Sequence, residues 1–101
     1  MPHIIRGAFI TQSYADTVAH LLSVHNPNRA GFYLENLTGN DVMVLSFDDP
    51  SLAVTGDRRP ITLSAGESYT ESSQDVNTGD IWVRLTTASQ SFTWREDWET
   101  D

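Results

Sequence analysis

From Thr17 onward, short runs of β-branched and aromatic residues alternate with clusters of Gly, Pro, Asn and Asp. That spacing predicts an antiparallel sandwich or barrel. Residues 31–36 predict a strand with Phe32 and Leu34 on one face and Tyr33 and Glu35 on the other. Residues 37–40 predict a turn, and 41–47 a second strand in which Val42, Val44 and Ser46 alternate with Met43, Leu45 and Phe47. Both faces of this second run are largely apolar. That suits a central strand with the core on one side and a loop, arm or neighbour on the other. The two runs are expected to pair as a hairpin.

Residues 48–60 hold two prolines, a glycine and three aspartates and predict an extended loop between sheets. A short strand over 61–63, a tight turn at 64–66 and a strand over 67–70 follow, then a polar turn over 71–79. Residues 80–85 alternate Ile81, Val83 and Leu85 against Trp82 and Arg84, and 90–98 close the pattern with Phe92 and Trp94 on one face. Residues 18–24 fit a helical face nearly as well as a buried strand. Asn26-Pro27-Asn28 stops them, and the strand-rich context assigns them to β. The expectation is an all-β, antiparallel β-sandwich or jelly-roll-like domain of about seven or eight strands.

The first sixteen residues differ. Ile4, Ile5, Phe9, Ile10 and Tyr14 follow no firm period, so residues 1–16 read as an extended N-terminal arm ahead of a sandwich over 17–101. Apolar side chains on such an arm need a surface. It is either the domain's own sheet or a neighbouring subunit's open edge.

Length agrees with one domain, since 101 residues match the usual size of a single core. With no cysteine, disulfides, thiolate metal sites and cysteine nucleophiles drop out. Fourteen carboxylates face six cations, all arginine, for a net charge of −8. That balance opposes binding to nucleic acid, which rests on neutralising phosphates, and to anionic membranes. It reads first as a solubility charge and second as a match for a basic partner. No stretch is apolar enough for a membrane span. The opening residues lack the charged and apolar regions of a secretory signal, so the chain is expected to stay where it is made.

Candidate chemistry is sparse. His3, His20 and His25 are dispersed, and no serine sits on a nucleophile elbow. Glu96 and Asp97 point to opposite faces of one strand and cannot flank a common bond; acidic clusters such as these, Asp48 with Asp49, and Glu99 read as solvated. Asp75-Val-Asn-Thr-Gly-Asp80 offers spaced oxygens but lacks a calcium loop's terminal glutamate and correctly placed glycine, and reads as a turn. No cofactor or metal is called for, and no enzyme is expected. Trp94 and Trp98 fall on one strand face about 13 Å apart, as an interface anchor or, second, as a platform for sugar rings. With Ile4, Ile5, Phe9 and Ile10 they are the candidate protein-interface residues.

Four stretches together carry a resemblance: Asn26 to Asn36, Val42-Met43-Val44, Ile61 to Tyr69, and Thr78 to Val83. An Asn-Pro-x-Arg turn leads into a strand ending in Asn, a Leu-x-x-Gly turn precedes an aromatic strand, and a Thr-Gly-x-Ile turn-strand follows. Over about residues 17–98 this resembles a group of small β-rich virion structural proteins of tailed bacteriophages, with Ala65 where proline is common. The resemblance implies a capsid decoration or cement protein, oligomeric, bound to a major capsid or other virion protein and located in the virion. The alternatives are a head–tail connector or tail accessory and, in a different class, a carbohydrate-binding module. Arg29 is expected to bond loop carbonyls or a carboxylate across the sheet.

Overall fold

The computed structural model describes residues 3–48, 61–72 and 76–100. Among these every regular element is a strand: β1 (His3–Arg6), β2 (Ile10–Ser13), β3 (His20–Ser23), β4 (Arg29–Asn36), β5 (Met43–Phe47), β6 (Ile61–Leu63), β7 (Ser68–Ser72), β8 (Ile81–Leu85) and β9 (Ser91–Thr100). They form two antiparallel sheets. One has the order β1-β9-β4-β7, with β2 also on β9; the other has the order β3-β8-β5-β6. The expected all-β sandwich is the observed fold. Most of the loop expected over 48–60 lies outside the described residues, as does Asp75 of the candidate calcium loop.

Alternation places the core. Phe32 and Leu34 of β4 and Phe92 of β9 face Met43 and Leu45 of β5, Leu63 of β6, and Ile81, Val83 and Leu85 of β8, all buried. Each fully buried side chain of this kind contributes about 1.5–3 kcal/mol. Of residues 18–24, expected as a strand, only His20–Ser23 form one, and it is marginal: Leu22 reaches the core while Val18, Leu21 and Val24 stay exposed.

The expected β4–β5 hairpin does not exist. β4 pairs with β7 and β9, and β5 with β6 and β8, so the turn after β4 carries the chain across the sandwich to the other sheet. Asn36, at the last position of β4 and buried, makes that crossing specific. Its side-chain amide donates to the carbonyls of Asp41 and Leu63 at 3.0 and 2.9 Å and its Oδ1 accepts from Asn40 Nδ2. Its backbone bonds Gly66 and Glu67. A strand end stitched to the opposite sheet cannot turn back on its own neighbour.

The other end of β4 carries Arg29, whose side chain is fully buried. Nε donates to Glu96 Oε1 of β9 at 2.5 Å; the terminal nitrogens donate to the carbonyls of Asn77, Gly79 and Val24 and to Ser23 Oγ. Five donors thus find five acceptors, and burial of the charge is compensated. The guanidinium joins β3, β4, β9 and the segment entering β8. Arg29 therefore bonds both loop carbonyls and a carboxylate, as expected. Glu96, read from sequence as solvated, is instead this half-buried ion-pair partner and also accepts from Ser23 Oγ at 3.1 Å. Because Phe32 pairs with Glu96, the carboxylate lies on the inner face, which sequence spacing alone does not reveal.

Replacing Arg29 with alanine orphans Glu96 and three carbonyls and is expected to cost about 3–5 kcal/mol, read as a lower urea midpoint at unchanged slope. An unchanged midpoint would show that the guanidinium is dispensable to the fold.

Candidate assembly surface

β1 and β2 are one arm laid antiparallel along β9. His3 to Arg6 oppose Thr100 to Asp97, and Ile10 to Ser13 oppose Trp94 to Ser91. Between the halves the arm spends one residue more than β9 does, a bulge centred on Gly7. Gly7 N donates to Glu96 O and Asp97 Oδ1, both at 3.1 Å. A Cβ at residue 7 would stand 2.3 Å from Glu96 O. The contact requires glycine.

Register sorts the arm's apolar side chains. Ile5 and Ile10 oppose Trp98 and Trp94 and share their face, whereas Ile4 and Arg6, opposite Glu99 and Asp97, lie on the outer one. Phe9, in the bulge, meets Tyr33 edge-on at 5.6 Å and carries the Arg95 guanidinium 4.8 Å from its ring centre, a cation–π contact. Arg95 Nε makes no hydrogen bond and stands 3.4 Å from Asp97 Oδ1. Ile4, Ile5, Phe9 and Ile10 remain 60, 41, 56 and 44 % exposed, so pairing with β9 leaves much of their surface in water.

Trp94 and Trp98 are placed differently. Trp94 packs on Phe32 at 6.3 Å and donates from Nε1 to Gln12 Oε1 at 3.0 Å. It packs, partly buried, against the core and fastens β2. Trp98 is half-buried, with its ring edge 3.4 Å from where a residue-7 Cβ would lie. The structure thus brings Trp98 together with Ile5 beside the arm and keeps Trp94 beneath it.

Past β2 the chain passes to β3 at the edge of the other sheet. Tyr14 stacks on His20 with centroids 3.9 Å apart and rings 3° from parallel, and leans on Phe92 at 5.9 Å. His20 Nε2 lies 2.6 Å from Asp16 Oδ1, and that hydrogen bond holds the Asp16 carboxyl below the ordinary carboxylate range. The arm edge and the β3 edge therefore meet, and one flank displays Ile4, Ile5, Phe9 and Ile10 beside Val18, Leu21 and Val24. The opposite flank, of β6 and β7, exposes Thr62, Ser68, Thr70 and Ser72. Charge does not follow that division: all fourteen carboxylates lie beyond residue 15 and His3 and Arg6 are on β1, but Asp97 and Glu99 lie opposite β1 and Asp16 bonds His20 of β3. Sequence reasoning missed the β3 share of this flank, because alternation does not report that a strand is an edge.

Among the described residues no group of acidic or histidine side chains could hold a metal, and no helix is long and apolar enough to cross a membrane. Asn77, Gly79 and Asp80 of the Asp75–Asp80 stretch serve the fold. Asn77 Oδ1 accepts from Gly79 N, and Asp80 Oδ1 from His25 N.

No protein-family model and no curated protein matches the chain. The fold is similar to a solved structure described as "Bacillus endospore appendages form a novel family of disulfide-linked pili". The TM-score is 0.59 at 16 % identity, over 100 % of this chain and 92 % of that one. The likeness is one of fold. It overturns the expectation of a phage capsid decoration or cement protein, with its tail-accessory and carbohydrate-binding alternatives. The solved structure that shares the fold is described as forming pili, and no comparison ties the chain to a virion. The physical reason lies in the motifs behind that expectation. Asn26-Pro27-Asn28-Arg29, Ser64-Ala65-Gly66 and Thr78-Gly79 are turn and clamp chemistry for a sandwich, indifferent to what the sandwich builds.

Gly7→Ala is expected to lift β1 from β9, with amide protection lost over residues 3–6, at a global cost of about 1–3 kcal/mol; intact protection would mean the bulge can shift. Burial pushes the Tyr14 phenol up, and burial followed by the Glu71 hydrogen bond pushes Tyr69 up further. Both folded values lie above the unfolded one of about 10. Their stabilisation is therefore complete below that pH and lost as pH rises through the folded values. Ultraviolet phenolate absorbance should show two late-titrating tyrosines in the folded protein and none in urea.

Proposed function

We propose that this chain is a non-catalytic structural subunit that associates with copies of itself through the arm–β3 flank. The observation that carries the reading is the set of four exposed apolar side chains on the edge arm, Ile4 and Ile5 on β1, Ile10 on β2 and Phe9 between them. Such an edge offers unpaired backbone groups and apolar surface together, and soluble monomers normally blunt it with lysine, proline or a covering element. Within β1 and β2 only Arg6 serves that purpose. A second copy is the favoured occupant because residues 3–13 of the arm carry no carboxylate and complement a body bearing every carboxylate of the chain. The fold shared with a protein described as forming pili supports a polymer or ring over an isolated binding module.

Cohesion in this reading is non-covalent, since the chain has no cysteine. The absence of catalysis rests on the histidines: the ring of His20 is engaged by Tyr14 and Asp16, and His3 stands on the exposed arm. Counting the arm as one strand, we read the order arm-β9-β4-β7 over β3-β8-β5-β6 as a jelly-roll-like variant of the sandwich.

Sedimentation of the purified protein is expected to show concentration-dependent assembly. The double variant Ile4→Glu, Ile10→Glu should weaken it by about 100-fold or more, at about 1.5–3 kcal/mol for each buried isoleucine. A wild-type monomer at every concentration, or a variant that assembles undiminished, would overturn the reading.

A further inference from the structure

The far end of β9 has an unusual dependence on the arm. β4 pairs with β9 only as far as Trp98, so Glu99 and Thr100 have β1 as their strand neighbour, besides one bond from Glu99 N to Asn28 O. β1 itself is exposed at all four positions. β2, by contrast, is fastened by the Gln12–Trp94 bond, by Tyr14 on His20 and Phe92, and by Ser89 N donating to Tyr14 O. The two halves of the arm therefore differ in hold, and they join at Gly7 and Ala8, small residues within the bulge.

Resting on the self-assembly reading, we infer that β1 exchanges between copies: residues 3–6 of one subunit pair with residues 97–100 of another, while β2 stays at home. The exchange conserves every pairing, Ile4 with Glu99 and Ile5 with Trp98 included, because an identical edge is offered by each copy. Its cost is confined to the hinge and to association, the usual reason that swapping is a low-cost route to oligomers. What favours the exchanged form is coverage. In the closed chain Ile4 and Ile5 keep half of their surface in water, whereas a strand passing between two bodies is enclosed by both.

The chain has no native cysteine, which permits a direct test. Ile4→Cys and Glu99→Cys, made in separate copies, are mixed, unfolded in urea, refolded together and oxidised. Directly opposed antiparallel residues stand within the Cα separation that a disulfide needs. Exchange predicts a 4–99 linked species at twice the 11.3 kDa chain mass, above the background of either variant alone and verified by peptide mass. His3→Cys with Thr100→Cys, the next register pair, serves where the first pair folds poorly. The inference is overturned if mixed single variants stay unlinked while a chain carrying both cysteines closes on itself. If wild-type protein still assembles in sedimentation, that outcome removes strand exchange and leaves self-assembly standing. A monomeric wild type removes both.

Discussion

The fold depends on β4 being fixed at both ends by buried polar side chains. Arg29 and Asn36, seven residues apart, each reach out of their own sheet and bond backbone groups of the other layer or of a crossing connector. Apolar contact between two sheets tolerates sliding, because dispersion and burial are not directional. Hydrogen bonds from two fixed points are directional, and unmet partners at either would be left buried at substantial cost. The core supplies the driving force; the two pins choose one alignment of the sheets from many that would bury similar area.

The period-two pattern made the strands legible. Residues 61–63 are recovered without error, and Phe32, Leu34, Ile81, Val83 and Leu85 all face the core as alternation requires. Pairing was not legible. A turn such as 37–40 has the same residues whether the chain doubles back or crosses to the other layer, and the deciding bonds come from Leu63 and Glu67, far along the chain. Glu96 failed for a related reason, since its role is set by an arginine 67 positions earlier. Ile4, Ile5, Phe9 and Ile10 stood out because no period absorbed them, and all four are left exposed, as are Val18, Leu21, Val24 and Val42. Trp94 was read from residue type as an interface anchor; it packs, partly buried, on Phe32.

Contrast between the flanks gives the surface a direction. One side offers aliphatic and aromatic groups on two adjoining edges, the other hydroxyls on β7. A molecule with two unlike sides that repels itself elsewhere through its net charge associates through chosen contacts rather than at random. Tyr14, stacked on His20, sits at the seam where the two apolar edges meet and sets the angle between them.

The crossing connectors carry a consequence for the chain's continuity. A single cut in the turn after β4 would leave one fragment holding β1 to β4 and another holding β5 to β9. In the larger sheet, read arm-β9-β4-β7, strands from the two pieces would then alternate, first, second, first, second. Neither piece owns two adjacent members of that sheet beyond the arm itself, so the larger sheet lacks a template until the pieces meet, although the second piece keeps β8, β5 and β6 of the other sheet side by side. Severed halves of this protein would hold together as a heterodimer of interleaved ribbons, and mutual recognition between them would be folding itself.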